Sequence, residues 1–133
     1  MAKQTQFVHW YQGKHRVNMN NDSPRIVIGL KSGNTISINA SACEKLTAMN
    51  PARTFVVGFI ANPKQIVFAA VDKFDTHAQF MRFRKDKASS GGRINNSDLV
   101  MHLECGLEVK HRTEFEYDPA STTKTEMYFR EVL

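Results

Sequence analysis

The sequence is short of the residues that mark several large protein classes. Its 133 residues include two cysteines, one tryptophan and four prolines. Two cysteines, Cys43 and Cys105, cannot build the disulfide framework of a small secreted domain, so a reducing compartment is expected. No stretch reaches the ~18 consecutive apolar residues that a membrane-spanning helix needs. The opening Met1-Ala2-Lys3-Gln4-Thr5-Gln6 is polar and lacks the apolar centre of a signal peptide. These absences predict a cytoplasmic protein with no membrane partner. A phosphate-cradling P-loop is missing too, because Ser89-Ser90-Gly91-Gly92-Arg93 has neither the spacing nor the lysine.

What is present is an ordinary globular composition, 41% hydrophobic and 23% charged, with a net charge of +5. That suffices for one domain with a core that needs no disulfide or metal. The charge is uneven. Between 78 and 93 the bases Arg82, Arg84, Lys85, Lys87 and Arg93 face the single acid Asp86. From 104 onward, seven acids (Glu104, Glu108, Glu114, Glu116, Asp118, Glu126 and Glu131) outnumber four bases (Lys110, Arg112, Lys124 and Arg130). Such a dipolar chain favours an anionic partner at its basic end.

The chain also repeats itself. Ile38-Asn39-Ala40-Ser41 is answered by Ile94-Asn95-Asn96-Ser97, a shift of 94 − 38 = 56 that also carries Phe59 onto Phe115 and Pro63 onto Pro119. The first copy reads as strands at 25–30 and 35–38, a short helix over 41–49 capped by Asn39 or Ser41, and strands at 54–60 and 66–71. Lys31-Ser32-Gly33-Asn34 supplies the first hairpin turn and Asn62-Pro63-Lys64-Gln65 the second. The second copy reads as a strand at 80–84 with bases on one face, a flexible Gly-rich turn at 87–92, a brief strand at 93–95, a helix over 97–103 capped by Asn96 or Ser97 and stopped by Gly106, and a closing hairpin at 113–117 and 125–132. The expected fold is mainly β: a pseudo-duplicated, swapped-hairpin-like β-barrel with two short helices. Its domain spans 25–133 as two repeats, about 25–72 and 80–133, behind an N-terminal extension at 1–24. Within that extension, 7–11 could add an edge strand and Trp10 could plug one end of the barrel.

The Gly33-Asn34-Thr35-Ile36-Ser37-Ile38-Asn39 run, with a short helix and a hairpin after it, resembles the AbrB-like or MazE-type swapped-hairpin family. Its signature is a Gly-Arg turn, an alternating strand ending in Pro, a helix ending near Leu-Gly-Ile, and a strand hairpin. Here Asn34 stands for the Arg and Asn39 for the Pro, while Gly92-Arg93-Ile94 keeps the Gly-Arg pair on a shorter strand. Leu103-Glu104-Cys105-Gly106-Leu107 looks like the helix end, one residue longer. The resemblance covers 25–133 and implies a barrel built by hairpin exchange, folded here into one chain, that binds DNA through surface bases. With Asn34 replacing an arginine, DNA contacts carried over this way fall mainly to Arg82, Arg84 and Arg93. The toxin-neutralising role of MazE-type antitoxins fits less well, since their acidic tail is disordered and Met127-Tyr128-Phe129 reads as strand.

No catalytic constellation stands out, and the chain is expected to be no enzyme and to need no cofactor. Ser41 and Lys45 lie one helical turn apart, but a Ser–Lys nucleophile needs a buried lysine. Glu114 and Glu116 share a strand face, which more often marks a solvated sheet than a coupled acid pair. His102, Cys105 and His111 make half a zinc site that Cys43 could complete only if the two helices meet; buried thiols packing against a barrel are the simpler reading. The basic segment is the strongest functional signal. Several Arg and Lys residues can track a phosphate backbone, and a Gly-rich loop can let main chain approach it. Lys14 and Arg16, beside Trp10 and Tyr11, could extend this surface. Phe80 and Phe83 could stack on bases, although on a strand they are expected to face the core. The expected partner is therefore DNA, bound by a monomer or homodimer acting as a regulator or accessory factor. The competing reading is a phage or mobile-element protein that binds and inhibits a host DNA-handling complex, in defence or transcription, through the same charged face.

Overall fold

A computed structural model describes residues 23–29, 35–109 and 112–132. The suggested strand at 7–11, Trp10, Lys14, Arg16, the 31–34 turn and His111 lie outside them. The described chain forms strands β1 (Arg25–Gly29), β2 (Thr35–Ile38), helix α1 (Ala40–Met49), β3 (Thr54–Ile60), β4 (Gln65–Ala70), β5 (Gln79–Phe80), β6 (Arg82–Phe83), β7 (Gly92–Asn95), helix α2 (Ser97–Leu107), β8 (Thr113–Tyr117) and β9 (Glu126–Glu131). The predicted strand at 80–84 is broken at Met81, and two short 3-10 turns, Arg84–Asp86 and Ala88–Ser90, take up its end and the following loop.

All strand pairs are antiparallel, in the order β5-β3-β4-β9-β8-β1-β2-β7-β6. β5 and β6 occupy opposite ends of that order yet flank one residue, Met81, so the chain itself brings the ends together. The result is a nearly closed barrel. The hairpin β3–β4 of the first half is followed by β8–β9 of the second, then β1–β2 of the first, then β7 and β5/β6 of the second. Each half's two hairpins touch only the other half's strands. Neither half can therefore cover its own strand edges or bury its own apolar face, and one shared core results.

That core gathers the inward residues of alternating strands, including Ile26, Ile28, Ile36, Ile38, Ile94 and Met81, with Phe55, Phe68 and Phe129 packed edge to face at 5.8 Å and 5.6 Å. Asn39 caps α1 by accepting from the Ala42 amide at 3.0 Å, and Asn96 caps α2 by accepting from Leu99 at 3.1 Å. The helices seal the barrel through Ala42, Cys43 and Leu46, and through Val100, Leu103 and Leu107.

No single shift relates the two proposed halves. Ile38 and Ile94 are both buried on their second strands, the caps Asn39 and Asn96 differ by 57, and the fully buried Phe55 corresponds to Phe115, a shift of 60. Matching Phe59 to Phe115 was a coincidence of spacing. Phe115 is core and faces Ile26, whereas Phe59 is half-buried against α2. Gly106 does not stop α2 either; it lies inside the helix, where a Cβ would run into the Phe59 ring. The helix instead ends at Glu108 in the left-handed region, with φ 58°.

Candidate nucleic-acid interface

Alternation along residues 79–83 builds the site. Met81 is fully buried, so period two turns Phe80 and Arg82 outward, and both are exposed. Phe80 and Phe83 are three residues apart and cannot share a strand face; Phe83 is half-buried against the core, while Phe80 is 46% exposed. Phe80 thus corrects the expectation that both rings face inward.

Arg82 lies directly opposite Arg93 in the β6–β7 ladder, and Arg93 in turn faces Ser37 of β2. Arg84 donates from Nη2 to the Ser37 hydroxyl at 3.1 Å, and its backbone amide donates to the Gly91 carbonyl at 2.9 Å. Lys85 and Asp86 then bend the chain through the left-handed region, at φ 53° and 58°. Gly91 and Gly92 act differently from the sequence reading. A Cβ on Gly91, which has φ 84°, would lie 2.7 Å from the Ile38 carbonyl, and one on Gly92 would lie 2.9 Å from the Arg82 carbonyl. Both glycines are buried and let the loop pack on the barrel rather than approach a phosphate.

A recess of about 730 Å³ opens here, lined by Arg53, Phe80, Arg82, Phe83, Arg84, Lys85, Asp86 and Arg93. Lys87 is exposed but does not line it. Arg53 is the residue that sequence reasoning missed. It follows α1 at φ 60°, a left-handed turn held by its amide donating to Asn50 O at 2.8 Å. The Asn50 side chain braces the same turn by donating to Thr54 O and Val71 O, at 2.7 Å and 3.1 Å. Arg53 straddles the seam of the barrel: its carbonyl accepts from the Met81 amide at 2.9 Å and its guanidinium donates to Met81 O at 3.3 Å. The guanidinium lies 3.9 Å from the Phe83 ring centroid and 4.9 Å from that of Phe80. The only signal for it was its position just beyond the Asn50-Pro51 helix stop.

No carboxylate of the described residues pairs with these bases. Among the described residues, ion pairs within 4.0 Å are made only by Arg25, with Glu114 at 2.9 Å and Glu116 at 3.9 Å. That pairing also accounts for Glu114 and Glu116, which flank a base on the sheet surface. Beyond Arg84 a smaller hollow of about 310 Å³ is lined by Ser37, Asn39, Ala40, Ser89, Ser90 and Arg112, so Arg84 borders both. The first turn of α1, which opens there, carries no acid to offset the positive end of its dipole.

The other candidate groups stay apart. Lys45 is exposed and sits over the Tyr117 ring at 4.9 Å, which leaves Ser41 without a buried base. Cys43 is buried, and burial pushes its thiol pKa up; Cys105 is exposed, contrary to the expectation of two buried thiols. His102 packs against Phe59, the ring centroids 5.2 Å apart and the planes tilted by 59°. Among the described residues no three His, Cys, Asp or Glu side chains come together as metal ligands. No protein-family model, curated protein or solved structure matches the chain.

Proposed function

We propose that the chain is a non-enzymatic DNA-binding protein, two AbrB-like halves in one barrel, whose contact surface is the recess rimmed by Arg82, Arg84, Lys85 and Arg93. The observation that carries this reading is the opposed Arg82–Arg93 pair. Like charges directly across a ladder cost a sheet stability, and no carboxylate among the described residues relieves them. A phosphate between the two guanidinium groups turns that cost into two charge-assisted hydrogen bonds. Arg84 and the hollow beyond it continue the positive surface in the direction a backbone would follow. The alternation of hairpins between halves supports the AbrB-like reading.

The test is binding of a labelled random-sequence duplex at rising salt. With one phosphate shared by Arg82 and Arg93 and one each for Arg84 and Lys85, the log–log slope is about −2.7, roughly a fortyfold loss of affinity between 50 and 200 mM salt. Charge reversal at Arg84 and Arg93 together should remove the binding. No affinity at low salt, or affinity indifferent to salt, overturns the reading. A single protein captured at moderate salt by a chain that ignores DNA would establish inhibition of a host complex instead.

A further inference from the structure

The recess holds more than phosphate binding requires. Phosphate contacts need cations, yet here an exposed phenylalanine, Phe80, lines the recess with Arg82 and Arg84, and a guanidinium held by the main chain bridges it to Phe83. An exposed aromatic ring gains nothing from water; a flat apolar ligand face gives it a partner. Guanidinium planes and aromatic rings are the surfaces on which unpaired bases stack. In a duplex those faces are already covered by neighbouring base pairs.

Two further observations agree. The recess volume of about 730 Å³ falls within the range of pockets that enclose small organic groups. Its wall contains Arg53, Lys85 and Asp86, three of the four non-glycine residues with positive φ among the described residues. Backbone held in that region costs free energy, and such strain gathers where side chains must be aimed.

We infer that the recess takes an unpaired nucleotide of a single strand, its base stacked against Phe80 and Arg53 and its flanking phosphates held by Arg82, Arg93 and Arg84. This rests on the reading of the face as a nucleic-acid surface and names the form of nucleic acid it prefers. Phe80 supplies the stacking surface; Arg53 positions and extends it.

The experiment compares a labelled 15-mer of oligo-dT with a duplex of the same length by fluorescence anisotropy, for the wild-type protein and for Phe80→Ala. The wild type should bind the single strand at least tenfold more tightly at equal salt. Phe80→Ala should lose about five- to a hundredfold of the single-strand affinity, the cost of one stacked base. Its salt slope should be unchanged, because stacking releases no counterions. Phe80→Trp should restore the affinity. Ultraviolet crosslinking to oligo-dT followed by peptide mass mapping provides a readout that needs no variant, and the adduct should fall on the peptide containing Phe80. Thymidine monophosphate in hundredfold excess should displace little of the strand. Salt-sensitive duplex binding with no single-strand preference overturns this inference and leaves the DNA reading intact; no binding to either form overturns both. An adduct elsewhere, equal weakening of both forms by Phe80→Ala, or full displacement by the mononucleotide also overturns the single-strand assignment.

Discussion

Replacing Arg82 with glutamate should stabilise the protein while it weakens binding. In the β6–β7 ladder Arg82 and Arg93 are register partners, both exposed, with no carboxylate within 4.0 Å among the described residues. Directly opposed charges on one sheet face interact by roughly 0.2–1 kcal/mol, with a sign set by their polarity. Reversal removes a repulsion and adds an attraction, and solvent screening of two long exposed side chains keeps the total near ~1 kcal/mol at low salt. For a chain of this length that is a rise in Tm of about 3 °C. Salt gives the decisive control, since a Debye length of ~10 Å at 0.1 M screens both versions. Wild-type stability should climb as salt rises, stability of Arg82→Glu should fall, and the two should converge. Calorimetry at low and high ionic strength reads the melting temperatures, and a duplex titration should show the salt slope reduced by about one for the lost phosphate. If Arg82→Glu melts below the wild type at low salt, and wild-type stability ignores salt, then the opposed arginines are not in repulsion and the case for an anion between them falls.

Three further outcomes follow from the same structure. Gly106→Ala should destabilise by about 1–2 kcal/mol in urea unfolding, because the collision with Phe59 outweighs the helix propensity gained; a more stable variant would mean that the ring moves aside freely. A thiol reagent should modify Cys105 at once and Cys43 only on unfolding, since Cys43 is buried and its thiol pKa is raised; two fast equivalents would refute that burial. Glu104 has one carboxylate oxygen buried without a hydrogen-bond partner, and desolvation raises its pKa above 4.5. The folded state therefore favours the protonated acid, and this contribution to stability is lost as pH rises through the folded pKa. Glu104→Gln should then be more stable than the wild type at pH 7, by under about 1 kcal/mol, with the difference fading below pH 4. A difference that grows in acid would reverse the assignment.

Much of this architecture was legible in local chemistry. Strict alternation in Thr35-Ile36-Ser37-Ile38 and the caps Asn39 and Asn96 fixed the second strand and both helix starts to within a residue. The bases of 82–93 were visible as composition, and four of them do converge on one recess. What local pattern could not reveal was anything set by pairing across distance. Arg53 stands 28 residues from Met81, the partner of its guanidinium, and only barrel closure brings them together. Gly91, Gly92 and Gly106 all looked like loop or stop signals, yet each is glycine because another element passes too close for a Cβ. Phe80 was misjudged because hydrophobicity outweighed parity, although parity with the buried Met81 places it outside.

The two halves share a pairing scheme and differ in charge, and that difference bears on what the surface can read. The Arg82–Arg93 pair of the second half occupies the place of Val27–Ser37 in the first, both being the pair next to a core residue, Met81 or Ile26, on the first strand of the half. A neutral pair therefore stands where the second half opposes two arginines. The base that begins the first half, Arg25, is already engaged by Glu114 and Glu116. A twofold barrel with the same bases on both halves would match a palindromic duplex, one half-site for each half. Here Arg82, Arg84, Lys85 and Arg93, with no ion-pair partner among the described residues, crowd the seam beside Arg53 and Phe80, and the corresponding pair of the other half, Val27–Ser37, is neutral. The alternation of hairpins between the halves accounts for how the core closes, whereas their difference in charge decides where an anion would be favoured. A footprint of this protein on nucleic acid should accordingly lie to one side of a single contact, with one recess occupied per chain; a symmetric, palindromic footprint would mean that the first half binds through residues other than these.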